Sequence, residues 1–138
     1  MVKADGNEDD LLKEKLTTAI AIQTYTDFDE AVDNAIHNLE KEGEGHSSVV
    51  YSSDDDKIMR AALKLPVGRI LVNQPGTGAG GNPELNGLHV TASLGCGSWA
   101  GNSISENLNY THLMNISRIS YFKPQAAAGK TPEEIFAD

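Results

Sequence analysis

Five side chains combine a reactive group with a setting where chemistry is done. His46 follows Gly43 and Gly45, where a helical pattern stops and an apolar run begins. Loops between elements carry function more often than element interiors do. With an ordinary pKa of about 6.5, an imidazole there can act as a base near neutral pH. Glu14 sits in the run Lys13-Glu14-Lys15, which by its residues alone is a solvated helix face. Cys96 is the single thiol, and a glycine stands on each side of it. A lone cysteine invites assignment as a nucleophile, but paired glycines point to a tight backbone path beside a partner surface. Asn73 and Gln74 close a predicted strand at its carboxyl edge, where parallel sheets place ligands, so they either line a pocket or serve the turn.

Other patterns fail on spacing. The four histidines, His37, His46, His89 and His112, are scattered and make no metal-ligand set with one cysteine. Residues 76–81, Gly-Thr-Gly-Ala-Gly-Gly, follow a strand but precede Asn82-Pro83-Glu84, with no helix to aim at a phosphate. They read as a flexible loop near an active site. Gly129-Lys130-Thr131 would need a glycine at 124 to be a phosphate loop, and that residue is Pro124.

The elements that would hold these residues follow from periodicity. Residues 11–16 allow one helical turn, and Ala19-Ile20-Ala21-Ile22, continuing to Tyr25, predicts a buried strand. Thr26 is placed to cap a helix carrying Phe28, Ala31, Val32, Ala35, Ile36 and Leu39 as its apolar stripe. Residues 48–51 predict a second strand. Ser53 is placed to cap a second helix, with Ile58, Met59, Ala62, Leu63 and Leu65 apolar, and residues 69–72 predict a third strand. Strands joined by helices imply parallel pairing, so the expected fold is α/β with a parallel β-α-β-α-β unit. A long loop over 74–103, a short helix over 105–113 and a terminal strand over 116–122 complete it. The domain divisions are a polar tail at 1–10, the body at 11–122 and a C-terminal tail at 123–138.

Bulk properties narrow the partners. The 138 residues suit one domain. Net charge is −9, from 20 acidic and 11 basic residues, which disfavours nucleic acid and anionic membrane surfaces. No apolar run approaches the roughly 20 residues of a membrane helix. A single cysteine excludes an internal disulfide and fits a reducing cytoplasm.

Several stretches, in order, resemble the CoA-acylating branch of the aldehyde dehydrogenase superfamily. They are Glu14-Lys15-Leu16, Asp27-Phe28-Asp29-Glu30-Ala31-Val32 and Gly43-Glu44-Gly45-His46-Ser47-Ser48-Val49. They continue with Gly68-Arg69-Ile70-Leu71-Val72-Asn73-Gln74-Pro75, Leu94-Gly95-Cys96-Gly97-Ser98-Trp99-Ala100-Gly101-Asn102-Ser103 and His112-Leu113-Met114-Asn115-Ile116. The resemblance spans residues 11 to about 122 and implies the C-terminal portion of such an enzyme. It implies that Glu14 matches a glutamate that is catalytic and holds the nicotinamide ribose. It implies that His46 matches an active-site histidine acting as base toward the CoA thiol. Asn73 and Gln74, at that strand end, would line the aldehyde or CoA pocket and contribute to binding the cofactor. Cys96 does not fall at the family's nucleophilic position, which lies upstream with most of the NAD-binding region.

The resemblance therefore implies NAD and coenzyme A as participants in the complete enzyme, with neither held tightly by this chain alone. It also implies a short aldehyde as substrate and a homo-oligomer or complementing subunit as partner. A non-catalytic assembly module, pairing through the strand at 116–122, is the alternative. An independent enzyme built on Cys96, His46 and Glu14 ranks below both.

Overall fold

The computed structural model describes residues 9–122 and the single residue Glu134. The predicted tails at 1–10 and 123–138 lie outside the described residues, except for Asp9, Asp10 and Glu134. Two helices and two strands form the body: α1 (Phe28–Lys41), β1 (Gly45–Val50), α2 (Asp55–Lys64) and β2 (Val67–Val72). Short 3-10 turns follow at Gly76–Gly80, Ser98–Ala100 and Tyr110–Leu113.

Both helices are capped one residue later than the hydroxyl residues predicted to cap them. Asp27 caps α1, its Oδ1 accepting from the Glu30 amide at 2.9 Å. Asp54 caps α2, its Oδ1 accepting from the Lys57 amide at 3.1 Å. A carboxylate outcompetes an adjacent hydroxyl at the positive end of a helix, because its bond is charge-assisted. Thr26 is instead tied to Glu30, whose Oε2 accepts from the Thr26 amide at 2.7 Å and from its hydroxyl. These bonds hold the Glu30 carboxyl below the usual carboxylate range, the hydroxyl contributing most.

The sheet is parallel, with Ser47 opposite Arg69 and Val49 opposite Leu71. The connecting α2 is the crossover that parallel pairing requires. Val32, Val50, Ala61, Leu65 and Val67 form the core, joined by Phe28, Ala35, Ile36, Leu39, Ile58 and Ile70. Each fully buried aliphatic side chain of this size contributes about 1.5–3 kcal/mol. Asp29 receives Arg60 at 3.0 Å and Lys64 at 3.4 Å from α2, exposed pairs that add little to the packing.

The expected three-strand unit is corrected to two strands. Residues 19–25 form no strand, and Ile20 is 80% exposed. A strand takes its stability from a neighbour, and β1 and β2 pair only with each other, leaving this apolar segment without one. Residues 116–122 likewise form no strand, and Phe122 is 85% exposed.

The predicted helix at 105–113 is reduced to Tyr110–Leu113, because its first half is claimed by antiparallel pairing. Leu94 bridges Asn107, the Gly95 amide donates to the Glu106 carbonyl at 3.0 Å, and the Gly97 amide donates to Ile104 at 2.8 Å. This irregular ribbon, residues 93–97 against 104–108, organises the long loop.

Candidate functional site

The site is built around a cation that sequence reasoning treated only as a strand residue. Arg69 is 5% exposed. It shares a strand face with Leu71 and with its register partner Ser47, by the alternation of a strand. Its Nε donates to Ser47 Oγ at 3.1 Å, and its Nη2 donates to the His46 carbonyl at 2.9 Å. Its Nη1 donates to the Gly95 carbonyl at 3.0 Å and to Asn107 Oδ1 at 3.4 Å. One guanidinium thus joins β1, β2 and both sides of the ribbon. Asn107, 4% exposed, carries the network onward: its Nδ2 donates to the Ala79 carbonyl at 2.9 Å and to the His89 carbonyl at 2.8 Å. A signal was present in the sequence: a charged residue alternating with Val67 and Leu71 on one strand must either face solvent or find several acceptors.

Gly45 explains how closely the ribbon approaches β1. Its φ is +79°, and a Cβ there would lie 2.0 Å from the Cys96 carbonyl oxygen. The tight path predicted around Cys96 is therefore real, but its neighbours lie within the chain: Gly45 on one side and residues 104–106 on the other. The Cys96 thiol lies 3.5 Å from the Leu94 carbonyl, and no hydrogen bond joins it to His46.

Asn73 serves the turn. It has the one positive φ among the described non-glycine residues, +52°. Its Oδ1 accepts from the Ser52 amide at 2.9 Å while its Nδ2 donates to the Ser52 carbonyl at 2.8 Å. Both ends of the amide are used in holding the β1–α2 connection against the end of β2.

Gln74 points the other way chemically. Its Oε1 accepts from Asn86 Nδ2 at 3.0 Å, and the same Asn86 nitrogen donates to the Gly78 carbonyl at 2.9 Å. The segment expected to be a flexible glycine loop is a 3-10 turn pinned by Asn86 and Asn107, with Ala79 buried. Gly68, Arg69, Ile70, Leu71, Gln74, Asn86 and Leu88 line an open cleft of about 210 Å³.

The two predicted catalytic residues, Glu14 and His46, share no hydrogen bond among the described residues. His46 lies inside β1 rather than in a loop, with its side chain exposed. Glu14 lies in an irregular exposed segment. Two amides of the glycine turn are engaged internally, Gly78 to the Pro75 carbonyl and Gly81 to the Gly78 carbonyl. His112, unassigned by sequence, forms a pair instead: its Nε2 lies 3.0 Å from Glu106 Oε1, and this contact raises its pKa above the ordinary imidazole value. Among the described residues no group of histidine, cysteine and carboxylate side chains is placed to hold a metal. No described helix is long and apolar enough to cross a membrane.

No family model matches the chain. It is 48% identical over 136 residues to a succinate-semialdehyde dehydrogenase (acetylating) of Clostridium kluyveri, covering 97% of this chain and 29% of that protein. It is 33% identical to a sulfoacetaldehyde dehydrogenase of an Acholeplasma species, covering 98% of this chain and 28% of that protein. Among solved structures, a probable aldehyde dehydrogenase from Listeria monocytogenes superposes with a TM-score of 0.74 at 35% identity, over 90% of this chain and 26% of that one. The chain thus spans under a third of the length of the relatives it matches.

Proposed function

This chain is a homologue of one part of the acylating aldehyde dehydrogenases, and we propose that it is the C-terminal portion of such an enzyme, inactive alone. The complete enzyme converts an aldehyde, CoA and NAD to acyl-CoA and NADH. NAD supplies the hydride acceptor in that reaction, and the nucleophilic cysteine comes from the region this chain does not match.

Within that frame His46 is the base that takes the proton of the CoA thiol, and Glu14 is the second catalytic carboxylate and a contact to the nicotinamide ribose. Gln74 keeps a side-chain amide for a ligand. Asn73 acts by position, holding the strand end beside it. The substrate class is a short aldehyde.

One observation carries this proposal: large apolar side chains lie uncovered along faces that a self-contained domain would bury. Leu63 on α2 is 80% exposed, and Met59, one turn away, is exposed with it. Leu16, Ile20 and Ile22 near one end of the described chain and Leu113, Ile119 and Phe122 near the other are exposed as well. Large apolar side chains left exposed in this number support a face that further chain covers. The two stretches predicted as strands, 19–25 and 116–122, are the ones left without a strand partner among the described residues, which supports completion by further chain.

The test is complementation. This chain is joined to the non-matching part of the Clostridium kluyveri relative, and NADH formation is followed with several short aldehydes plus CoA and NAD. Turnover is expected in the joined protein. His46→Ala should lower it by about 10²–10⁴, the range for loss of a general base. Full turnover by the His46→Ala protein would remove the assigned role. The alternative, a pairing module acting through 116–122, predicts a stable dimer of the isolated chain by light scattering.

A further inference from the structure

Asn86-Gly87 is the one Asn-Gly pair in the sequence. In such a pair the backbone nitrogen of the glycine can attack the asparagine side-chain carbonyl, because glycine puts no side chain in the way of the approach. The approach is open here. Gly87 is exposed at φ +72°, and a Cβ built on it would meet nothing within 4 Å. Its amide donates no hydrogen bond among the described residues.

The asparagine, by contrast, is held at both ends of its side-chain amide, and it is half-buried. Oδ1 accepts from the Asn82 amide at 3.0 Å and from the Leu88 amide at 3.2 Å. Nδ2 donates to Gln74 Oε1 at 3.0 Å and to the Gly78 carbonyl at 2.9 Å, which uses both of its hydrogens. Ring closure would turn Cγ toward Gly87 N and expel Nδ2, so the bonds to Gln74 and Gly78 must first be given up. The Gly78 carbonyl also accepts from the Gly81 amide at 3.0 Å, the bond that closes the glycine turn. Asn86 therefore braces the turn at Gly76–Gly80, and the turn in return holds Asn86.

We propose that Asn86-Gly87 is a self-modification site gated by this turn, protected while the turn is closed and deamidated when it opens. Gly87 N gives its proton to solvent base and bonds to Asn86 Cγ. The Cγ–Nδ2 bond breaks, and Nδ2 takes a proton from solvent and leaves as ammonia. Water then opens the succinimide at either carbonyl, giving aspartate or isoaspartate, with no oxidation or reduction. The product carries a carboxylate where two N–H donors stood, so Gln74 Oε1 and the Gly78 carbonyl lose their donor and face another acceptor. The turn cannot reclose as before, and the modification is a permanent record of its opening. The site follows from the turn alone and stands apart from the enzyme assignment.

The test follows succinimide and isoaspartate at residue 86 by mass spectrometry in one mildly alkaline buffer. Three samples are compared: the full chain, full-chain Gln74→Ala, and a synthetic peptide of residues 82–92. The peptide lacks Gln74 and Gly78 and should react at least about tenfold faster than the folded chain. Gln74→Ala, which removes one of the two acceptors of Nδ2, should fall between them. Asn86→Asp stands in for the product, and hydrogen exchange at its Gly78 and Gly81 amides should be at least about tenfold faster than in the parent. Equal rates in the folded chain and the peptide, no succinimide in the peptide, a Gln74→Ala rate equal to the parent's, or unchanged exchange in Asn86→Asp would each overturn the proposal.

Discussion

Arg69 Nη2 donates to the carbonyl of His46 at 2.9 Å, so a buried cation on β2 fixes the backbone of the residue proposed as base on β1. The same guanidinium holds the Gly95 carbonyl at 3.0 Å. Removing it leaves several buried acceptors without donors, and each such group costs about 1–3 kcal/mol. Arg69→Met should therefore lower stability to urea by about 2–5 kcal/mol. Arg69→Lys should recover only a fraction, because a single ammonium cannot reproduce the fork. An Arg69→Met midpoint within about 0.5 kcal/mol of the parent would show that the network contributes nothing.

Asn73 tests a different claim, that its amide serves the fold. Asn73→Ala loses two bonds to Ser52 and places a Cβ-bearing residue without polar compensation at φ +52°. Asn73→Gly loses the same bonds but relieves the backbone. The alanine variant should be less stable than the glycine variant by about 1 kcal/mol, although alanine is normally the stiffer and more stable choice. Equal stabilities by thermal melting would contradict the assigned strain.

His112 gives a pH dependence whose sign follows from its partner. Its pKa is raised, chiefly by the hydrogen bond to Glu106. Stability from this pair is fully present below the unfolded value of 6.5 and is lost as pH rises through the higher folded value. Hydrogen exchange at the Tyr110–Leu113 turn should therefore accelerate across that window beyond the intrinsic chemical rate. In Glu106→Gln this added dependence should be much reduced. An unchanged profile in that variant would assign the effect elsewhere.

The helices were legible in the sequence because their signal is local. The stripe from Phe28 to Leu39 and the acidic first turns are written within one element, and only the capping residue was misplaced, by one position, where hydroxyl and carboxylate stand side by side. The strand at 19–25 was misjudged because its apolar residues encode burial against a neighbour that the described structure does not supply. Gly45 was read as a helix stop, yet its deeper constraint is the Cys96 carbonyl, about fifty residues away. The alternation of Arg69 with Val67 and Leu71 marks it as a residue needing acceptors, but which ones it and Asn107 find, the carbonyls of His46, Ala79, His89 and Gly95, is set by distant backbone that leaves no mark on sequence pattern. Of the predicted site, Gln74 lies in a cleft and Asn73 in a clamp, while His46 lies in β1 and Glu14 in an irregular exposed segment.

The central claim is that two proton-handling side chains, without the nucleophile that the family places upstream, do not complete an enzyme. The direct measurement is NADH formation by the isolated chain with a short aldehyde, CoA and NAD. No NADH above the protein-free rate is the predicted result. Sustained NADH formation that disappears in Cys96→Ser would contradict the account and make this chain an enzyme in its own right.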